Sequence, residues 1–183
     1  MATDLDTLAA ALAGGHVAVL TGAGLSTESG IPDYRGPDGR RRVAPMQYGE
    51  FVGSAAARRR YWARAYVGWP RFRAARPNVG HRVVAALQAA GLTGPPITQN
   101  VDGLHQRAGS HAVLELHGTL AVVRCLTCED RTPRERLQDR LAAANPGFAE
   151  AVAAREPLQA PGPREHVDSV NTVQPQQAVD DDD

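Results

Sequence analysis

The apolar positions near the start of the chain recur with a helical period. Leu5, Leu8, Ala9 and Leu12 fall on one face, Thr3 or Asp4 is placed to cap the start, and Gly14-Gly15 stops the run. "HVAVL", His16 to Leu20, reads as a short buried strand, which feeds a turn at Gly22-Ala23-Gly24 and then a helix up to Gly30. Residues 45–73 have a helical period with Tyr61, Ala65 and Trp69 toward a core. "RPNVGHRVVAALQAAGL" predicts a helix with Asn78 as N-cap, Val83, Val84 and Leu87 buried, and Gly91 as the stop. "PPIT", "AVLEL" and "TLAVVRC" predict three further extended runs. "TPRERLQDRLAAANPGF" predicts a helix capped by Thr132 with Pro133 at its first position. After about Arg155 the pattern fails: four prolines, no Phe, Tyr or Trp, and no sustained period read as disorder.

Alternating helix and strand with glycine turns between them predicts an α/β fold around a parallel sheet. The length, 183 residues, suits one ordinary domain with few additions. Twenty basic and twenty acidic residues give a formal charge of zero, which argues against a nucleic-acid partner recruited by net charge. Every basic residue is arginine, and seven of them lie between Arg58 and Arg76; a solvated helix face explains that cluster, with an anion-binding face as the alternative. The start lacks the basic and apolar regions of a signal peptide, and no apolar run approaches the roughly 18 residues of a membrane span. A cytoplasmic protein without a membrane partner is the expectation. Two cysteines, Cys125 and Cys128, are too few for a disulfide framework.

Two polar blocks interrupt the apolar pattern. Glycines after a strand let a backbone approach a phosphate, and the helix start that follows presents unpaired N–H groups. Gly22-x-Gly24 carries the first half of the dinucleotide fingerprint, but Thr27 stands where its third glycine belongs, so a plain tight turn and a phosphate site both remain open. The turn at Gly30 and Pro32 is followed by Asp33, Tyr34 and Arg35, either a ligand cluster or a loop with an Asp33–Arg35 ion pair. "ITQNVDGLHQRAG" sets Gln99, Asn100, Asp102 and His105 just past a strand, where open α/β sheets bind ligands; a polar loop with an Asx turn at Asp102 is the alternative. His117, in "LELHG", also ends a strand, a place more often taken by a structural histidine.

"GAGLSTESGIPDYR" closely resembles the sirtuin signature, the first NAD+-binding block of the NAD+-dependent protein-lysine deacylases, with Tyr34 where the family usually has Phe. "TQNVDGLH" is similar to the family's second block and "LHG" at Leu116 to Gly118 to its third. The resemblance covers about residues 5–150, and "RYWARAYVGWPRF" and "ARPNVGH" look most like the bacterial and mitochondrial branch. It implies a Rossmann-like doubly wound sheet with a small helical and zinc-type module. It implies cofactor contacts for Gly22, Ala23, Gly24, Ser26, Thr27, Asp33, Tyr34, Arg35, Gln99, Asn100, Val101 and Asp102. It also implies catalytic parts for His117, Asn100 and Asp102, with His105 in support. The implied chemistry is attack of an acyl-lysine carbonyl oxygen on the nicotinamide ribose, loss of nicotinamide, and proton removal from the ribose by His117. An imidazole suits that work because it changes charge close to neutral pH. The products would be free lysine, nicotinamide and O-acyl-ADP-ribose, the partner an acyl-lysine protein or peptide.

Cys125-x-x-Cys128 looks like one knuckle of the family's structural zinc site, which takes four ligands. No cysteine follows Cys128, so Zn is doubtful in this chain and the cysteines make a half site; a redox motif is the competing reading. The family's later peptide-clamping and adenosine-site blocks have no counterpart after about residue 155. The expectation is therefore a truncated sirtuin: residues 1–35 and 77–118 as the NAD-binding part, 36–76 as a helical insert, 119–150 as a partial zinc module, and 156–183 as a non-family tail. Two other functions stay open, a mono-ADP-ribosyltransferase using the same pocket and a catalytically inert fragment.

Overall fold

The computed structural model describes residues 3–15, 17–33, 40 and 45–154. Tyr34, Arg35 and the expected tail at 156–183 lie outside the described residues. The chain divides into two compact units, Met1–Asp33 with Arg71–Ala121, and Tyr34–Pro70 with Val122–Asp183.

In the first unit, α1 runs Asp4–Ala13. Thr3 caps it: the Thr3 hydroxyl accepts from the Asp6 N–H at 3.2 Å, and Asp6 accepts from the Thr3 N–H at 2.9 Å. Its apolar face is left exposed, with no buried residue in the helix. β1 (Leu20–Thr21), β2 (Ile97–Thr98) and β3 (Leu114–Glu115) form a parallel sheet in the order β1-β2-β3. A 3-10 helix, Ala23–Ser29, follows β1 in place of the expected α-helix and ends at Gly30, whose φ of 83° no side-chain-bearing residue adopts readily. α4 (Val79–Ala89) starts at Asn78 as predicted, and α5 (Leu104–Arg107) follows β2. The stop at Gly91 is a Schellman turn: Leu92 N–H bonds the Leu87 carbonyl at 3.0 Å and Gly91 N–H bonds Gln88 at 3.0 Å.

Burial departs from the periodicity. Val83 is exposed and Val84 half-buried, while the fully covered positions of α4 are His81 and Gln88. The Gln88 amide replaces a strand partner, donating to the His111 carbonyl at 2.8 Å and accepting its N–H at 3.1 Å. Register explains the sheet. Leu20, Ile97 and Leu114 form one row and Thr21, Thr98 and Glu115 the next, on the opposite face. The threonine face is covered, with Thr98 at 2% exposure, but Leu20 is 65% and Leu114 54% exposed. Of the expected buried strand "HVAVL", Leu20 opens the two-residue β1 and is exposed, Val17 bridges to Thr93, Val17 and Val19 are half-buried, and His16 lies outside the described residues. Parallel sheets ordinarily bury both faces. The small apolar core of this unit joins Ile31, Ala75 and Leu104, with Phe72 packed against them.

In the second unit, the single helix expected over 45–73 is two, α2 (Tyr48–Gly53) and α3 (Ala55–Ala74), of which the last turn from Arg71 belongs to the first unit. Arg58 caps α2 by donating to the Phe51 carbonyl at 3.0 Å and the Val52 carbonyl at 2.6 Å. β4 (Val122–Arg124) and β5 (Arg131–Pro133) pair as an antiparallel hairpin. Thr132 and Pro133 belong to β5, so α6 starts at Arg134 and runs to Ala144 without a side-chain cap. α7 is Phe148–Ala153. Arg134 is buried, donates to the Ala65 carbonyl at 3.0 Å, and lies 4.8 Å from the Trp69 ring centre. Among the described residues no helix is long and apolar enough to cross a membrane.

This burial pattern predicts unequal costs for two leucines. Leu104 is fully buried, so Leu104→Ala should destabilise by about 2–5 kcal/mol, whereas Leu114→Ser should change stability by less than about 0.5 kcal/mol. Urea unfolding checks both; a large loss from Leu114→Ser would mean the sheet face is covered in solution.

Candidate active site

β1 and β2 end side by side with a threonine each, and the chain beyond them builds the site. Thr21 donates its hydroxyl to Thr98 Oγ1 at 2.8 Å and stands 2.8 Å from His105 Nε2. Thr98 in turn accepts the Asn100 N–H at 3.0 Å, which turns the chain after β2. Asn100, buried, donates its amide to the Gly22 carbonyl at 2.9 Å and to Ser26 Oγ at 3.2 Å. Ser26, also buried, donates to Asp102 Oδ2 at 2.7 Å. The other Asp102 oxygen accepts the Leu104 N–H at 2.9 Å, as an Asx turn would, while Gly103 takes a φ of 69° to start α5. The loop after β1 and the loop after β2 are thus tied by a serine, an asparagine and a carboxylate.

The glycines sit on the open side of this knot. Among the described residues, chain neighbours aside, nothing lies within 4 Å of where a Cβ on Gly22 or Gly24 would be, which leaves the backbone there open to a ligand. Thr27 is exposed, its hydroxyl donating to the Gly24 carbonyl at 2.8 Å. The opposite side of the 3-10 helix is closed: a Cβ on Gly80 would lie 2.7 Å from Leu25 Cδ1, and Asn78 donates to the Leu25 carbonyl at 2.6 Å and to Ser29 Oγ at 3.1 Å. Gln99 is exposed, and its N–H continues the sheet to the Thr21 carbonyl at 3.0 Å. The Val101 carbonyl accepts the Leu120 N–H at 2.9 Å. His117 follows β3 by two residues, at the same carboxyl edge as Gly22 and Asn100, and is half-buried. Asp33 is half-buried at the end of a described segment. The hydrogen bonds therefore bring Gly22, Ser26, Asn100 and Asp102 together, and the sheet topology sets His117 on the same edge.

Behind the knot lies a feature that the residue pattern did not single out. His81 and His105 are both buried and meet edge to face, with ring centres 5.2 Å apart. His81 Nδ1 accepts the Asn78 N–H at 3.4 Å, while among the described residues His81 Nε2 and His105 Nδ1 have no hydrogen-bond partner. Burial depresses both imidazoles below their ordinary range; the neighbouring His105 lowers His81 further, and Asp102 opposes the shift in both. Burial raises Glu115, against a hydrogen bond from Gln106 that lowers it. The legible signal for the pair was the spacing of His81 three residues after the N-cap Asn78, which makes it the reciprocal member of a capping box.

A profile of the Sir2 family matches residues 22–171. The chain belongs to the Sir2 family. It is 56% identical over 156 residues to "NAD-dependent protein deacetylase 1" of Streptomyces coelicolor, covering 85% of this chain and 52% of that relative. A solved structure described as "Sir2-p53 peptide-NAD+" matches at 36% identity with a TM-score of 0.65, covering 77% of this chain and 57% of the other. A second, "Structure of Sir2Tm bound to a propionylated peptide", matches at 34% identity with a TM-score of 0.64, covering 77% and 56%. The fold is thus the Rossmann-like α/β fold of the Sir2 family, and the chain spans about half the length of the curated relatives it matches.

The described residues supply two donors for the zinc implied by the resemblance. Cys125 and Cys128 are exposed on the β4–β5 hairpin, and among the described residues no group of three or more His, Cys, Asp or Glu is placed to hold a metal. A closed structural zinc site needs four donors.

The histidine pair makes stability depend on pH. A histidine depressed in the fold takes up its proton more readily when unfolded, so stability is present above the unfolded value near pH 6.5 and is lost as pH falls through the lower folded value. Urea midpoints from pH 8 to 5 should fall at the acid end, by up to about 1.4 kcal/mol per pH unit for each histidine. The double variant His81→Gln, His105→Gln should flatten that slope; an unchanged slope would contradict the assignment.

Proposed function

We propose that this chain carries the phosphate- and nicotinamide-ribose-binding half of an NAD+-dependent protein-lysine deacylase. The observation that carries the reading is the Asn100–Ser26–Asp102 network fastened to the Gly22 carbonyl beside open glycine backbone. The names of similar proteins, NAD-dependent protein deacetylase and deacylase, and the NAD+ and peptide in matched structures support it.

Bound there, the dinucleotide supplies an electrophilic ribose carbon from which nicotinamide departs. Gly22 and Gly24 let its pyrophosphate approach the backbone without a Cβ in the way. Asn100 keeps the Gly22 carbonyl and Ser26 in one place, so the loop after β1 does not reorganise as the ligand arrives. Asp102 receives Ser26 on one oxygen and the start of α5 on the other, so its part is to position the loop. Gln99, exposed beyond β2, and Asp33, Tyr34 and Arg35 beyond the 3-10 helix are the side chains this reading assigns to the ribose and nicotinamide. His117, at the same sheet edge, takes the proton from the ribose hydroxyls, and the acyl-lysine peptide is the second substrate. Charge balance, with twenty acidic and twenty basic residues, fits a protein substrate rather than nucleic acid.

Two measurements test this. Where the chain is joined to the length its relatives carry, His117→Ala should lower deacylation by about 10²–10⁴-fold, the range for a lost acid–base group. Mass spectrometry of the products should find the acyl group on ADP-ribose. Unchanged turnover would remove His117 as the base, and ADP-ribose attached to protein in place of O-acyl-ADP-ribose would overturn the reaction class.

A further inference from the structure

His81 and His105 sit behind both loops of the candidate site, and hydrogen bonds connect each ring to one of them. On one side, the Asn78 N–H donates to His81 Nδ1 at 3.4 Å. The Asn78 amide reaches on to the 3-10 helix, donating to the Leu25 carbonyl at 2.6 Å and to Ser29 Oγ at 3.1 Å. On the other side, His105 Nε2 lies 2.8 Å from Thr21 Oγ1, which donates to Thr98 Oγ1 at 2.8 Å. Thr98 accepts the Asn100 N–H at 3.0 Å, so the connection ends at the loop after β2.

These bonds assign the protons. Thr21 gives its one hydroxyl proton to Thr98, so it accepts from His105, and His105 carries its proton on Nε2. His81 accepts at Nδ1 and therefore also carries its proton on Nε2. The two remaining nitrogens are complementary, a donor at His81 Nε2 and a lone pair at His105 Nδ1, and among the described residues neither has a partner. Both rings are buried, with centres 5.2 Å apart. A further proton on His105 Nδ1 sets a second donor against His81 Nε2–H, and one on His81 Nδ1 displaces the Asn78 N–H. Either buries a charge, so the charged ring turns out of its place and leaves its loop contact. The charged groups that bear on the pair are Asp102, which favours a proton, and Arg82, which opposes one at His81; β1 and β2 bring Thr21 and Thr98 to it.

We propose that His81 and His105 are positioning residues for the nucleotide loops: as a neutral pair they hold Asn78 and Thr21, and through them the 3-10 helix and Asn100, and a proton on either ring releases the loop it holds. The role rests on reading these loops as the NAD+ site, while the network itself can be read without ligand.

NMR of the full 183-residue chain tests it. At pH 8 the imidazole nitrogen shifts should place the proton of both rings on Nε2. As the pH is lowered, over the range in which far-UV circular dichroism is constant, the amide signals of Thr21, Thr98 and Asn100 should move in step with the His105 ring. His105→Gln sets an amide N–H at the place of Nε2–H and takes no proton, so in that variant the same signals should keep their pH 8 positions. With ADP-ribose added, the shifts at Gly22 to Ser26 should be lost at the acid end of the range in the wild type and kept in His105→Gln. A His105 proton on Nδ1 at pH 8 would overturn the proposal, whether or not the variant folds. So would loop signals that ignore the histidine titration, or that follow the same pH profile in His105→Gln. ADP-ribose that leaves Gly22 to Ser26 unmoved at pH 8 would count against the NAD+ reading, and the ligand-free titration would still decide the role of the pair.

Discussion

Everything arranged at the carboxyl edge of the sheet depends on one buried hydroxyl. Ser26 accepts from Asn100 and donates to Asp102, and so joins a side chain from the end of β2 to the 3-10 helix after β1. Its single proton goes to the carboxylate and a lone pair accepts the amide, while Asn100 also bonds the Gly22 carbonyl and Asp102 also accepts the Leu104 N–H. Removing the hydroxyl would leave a buried amide and a half-buried carboxylate short of partners, a loss of about 1–3 kcal/mol for each such group.

The same sheet shows the opposite condition on its other face. The threonine row is covered and joined to His105, whereas the leucine row at Leu20 and Leu114 meets solvent. The first unit therefore relies on hydrogen bonds to buried polar groups more than on apolar burial: its buried hydrophobic cluster is Ile31, Ala75 and Leu104. A buried histidine pair, with one ring nitrogen of each unpartnered among the described residues, lies behind that polar layer, which ties stability of the site to pH.

Much of this was legible in the residues. Thr3, Asn78 and Gly91 marked helix ends because capping and left-handed turns depend on local chemistry alone. The three parallel strands and the polar blocks after them followed from short apolar runs stopped by glycine or by Gln99-Asn100. Burial was not legible, because periodicity identifies a face without saying what packs on it. Leu5, Leu20 and Val83 have the period of core residues and are exposed, while His81, Gln88 and Arg134 are covered because each finds a specific polar or aromatic partner. Thr132-Pro133 has the composition of a helix start yet pairs as a strand, Pro133 opposite Val122 and Thr132 opposite Val123. The order of motifs carried the family, and distances were needed to show that Ser26, which no spacing singled out from its neighbours, is the centre of the site.

On the proposed function, a preorganised loop pair at the ends of β1 and β2 receives the diphosphate and ribose. Backbone amide NMR of the full chain titrated with ADP-ribose tests it most directly. Shifts concentrated at Gly22 to Ser26 and Gln99 to Asp102 are the expected result. The same titration of Ser26→Ala should lose that localised pattern. Shifts confined to residues outside these loops, or a pattern unchanged by Ser26→Ala, would contradict it.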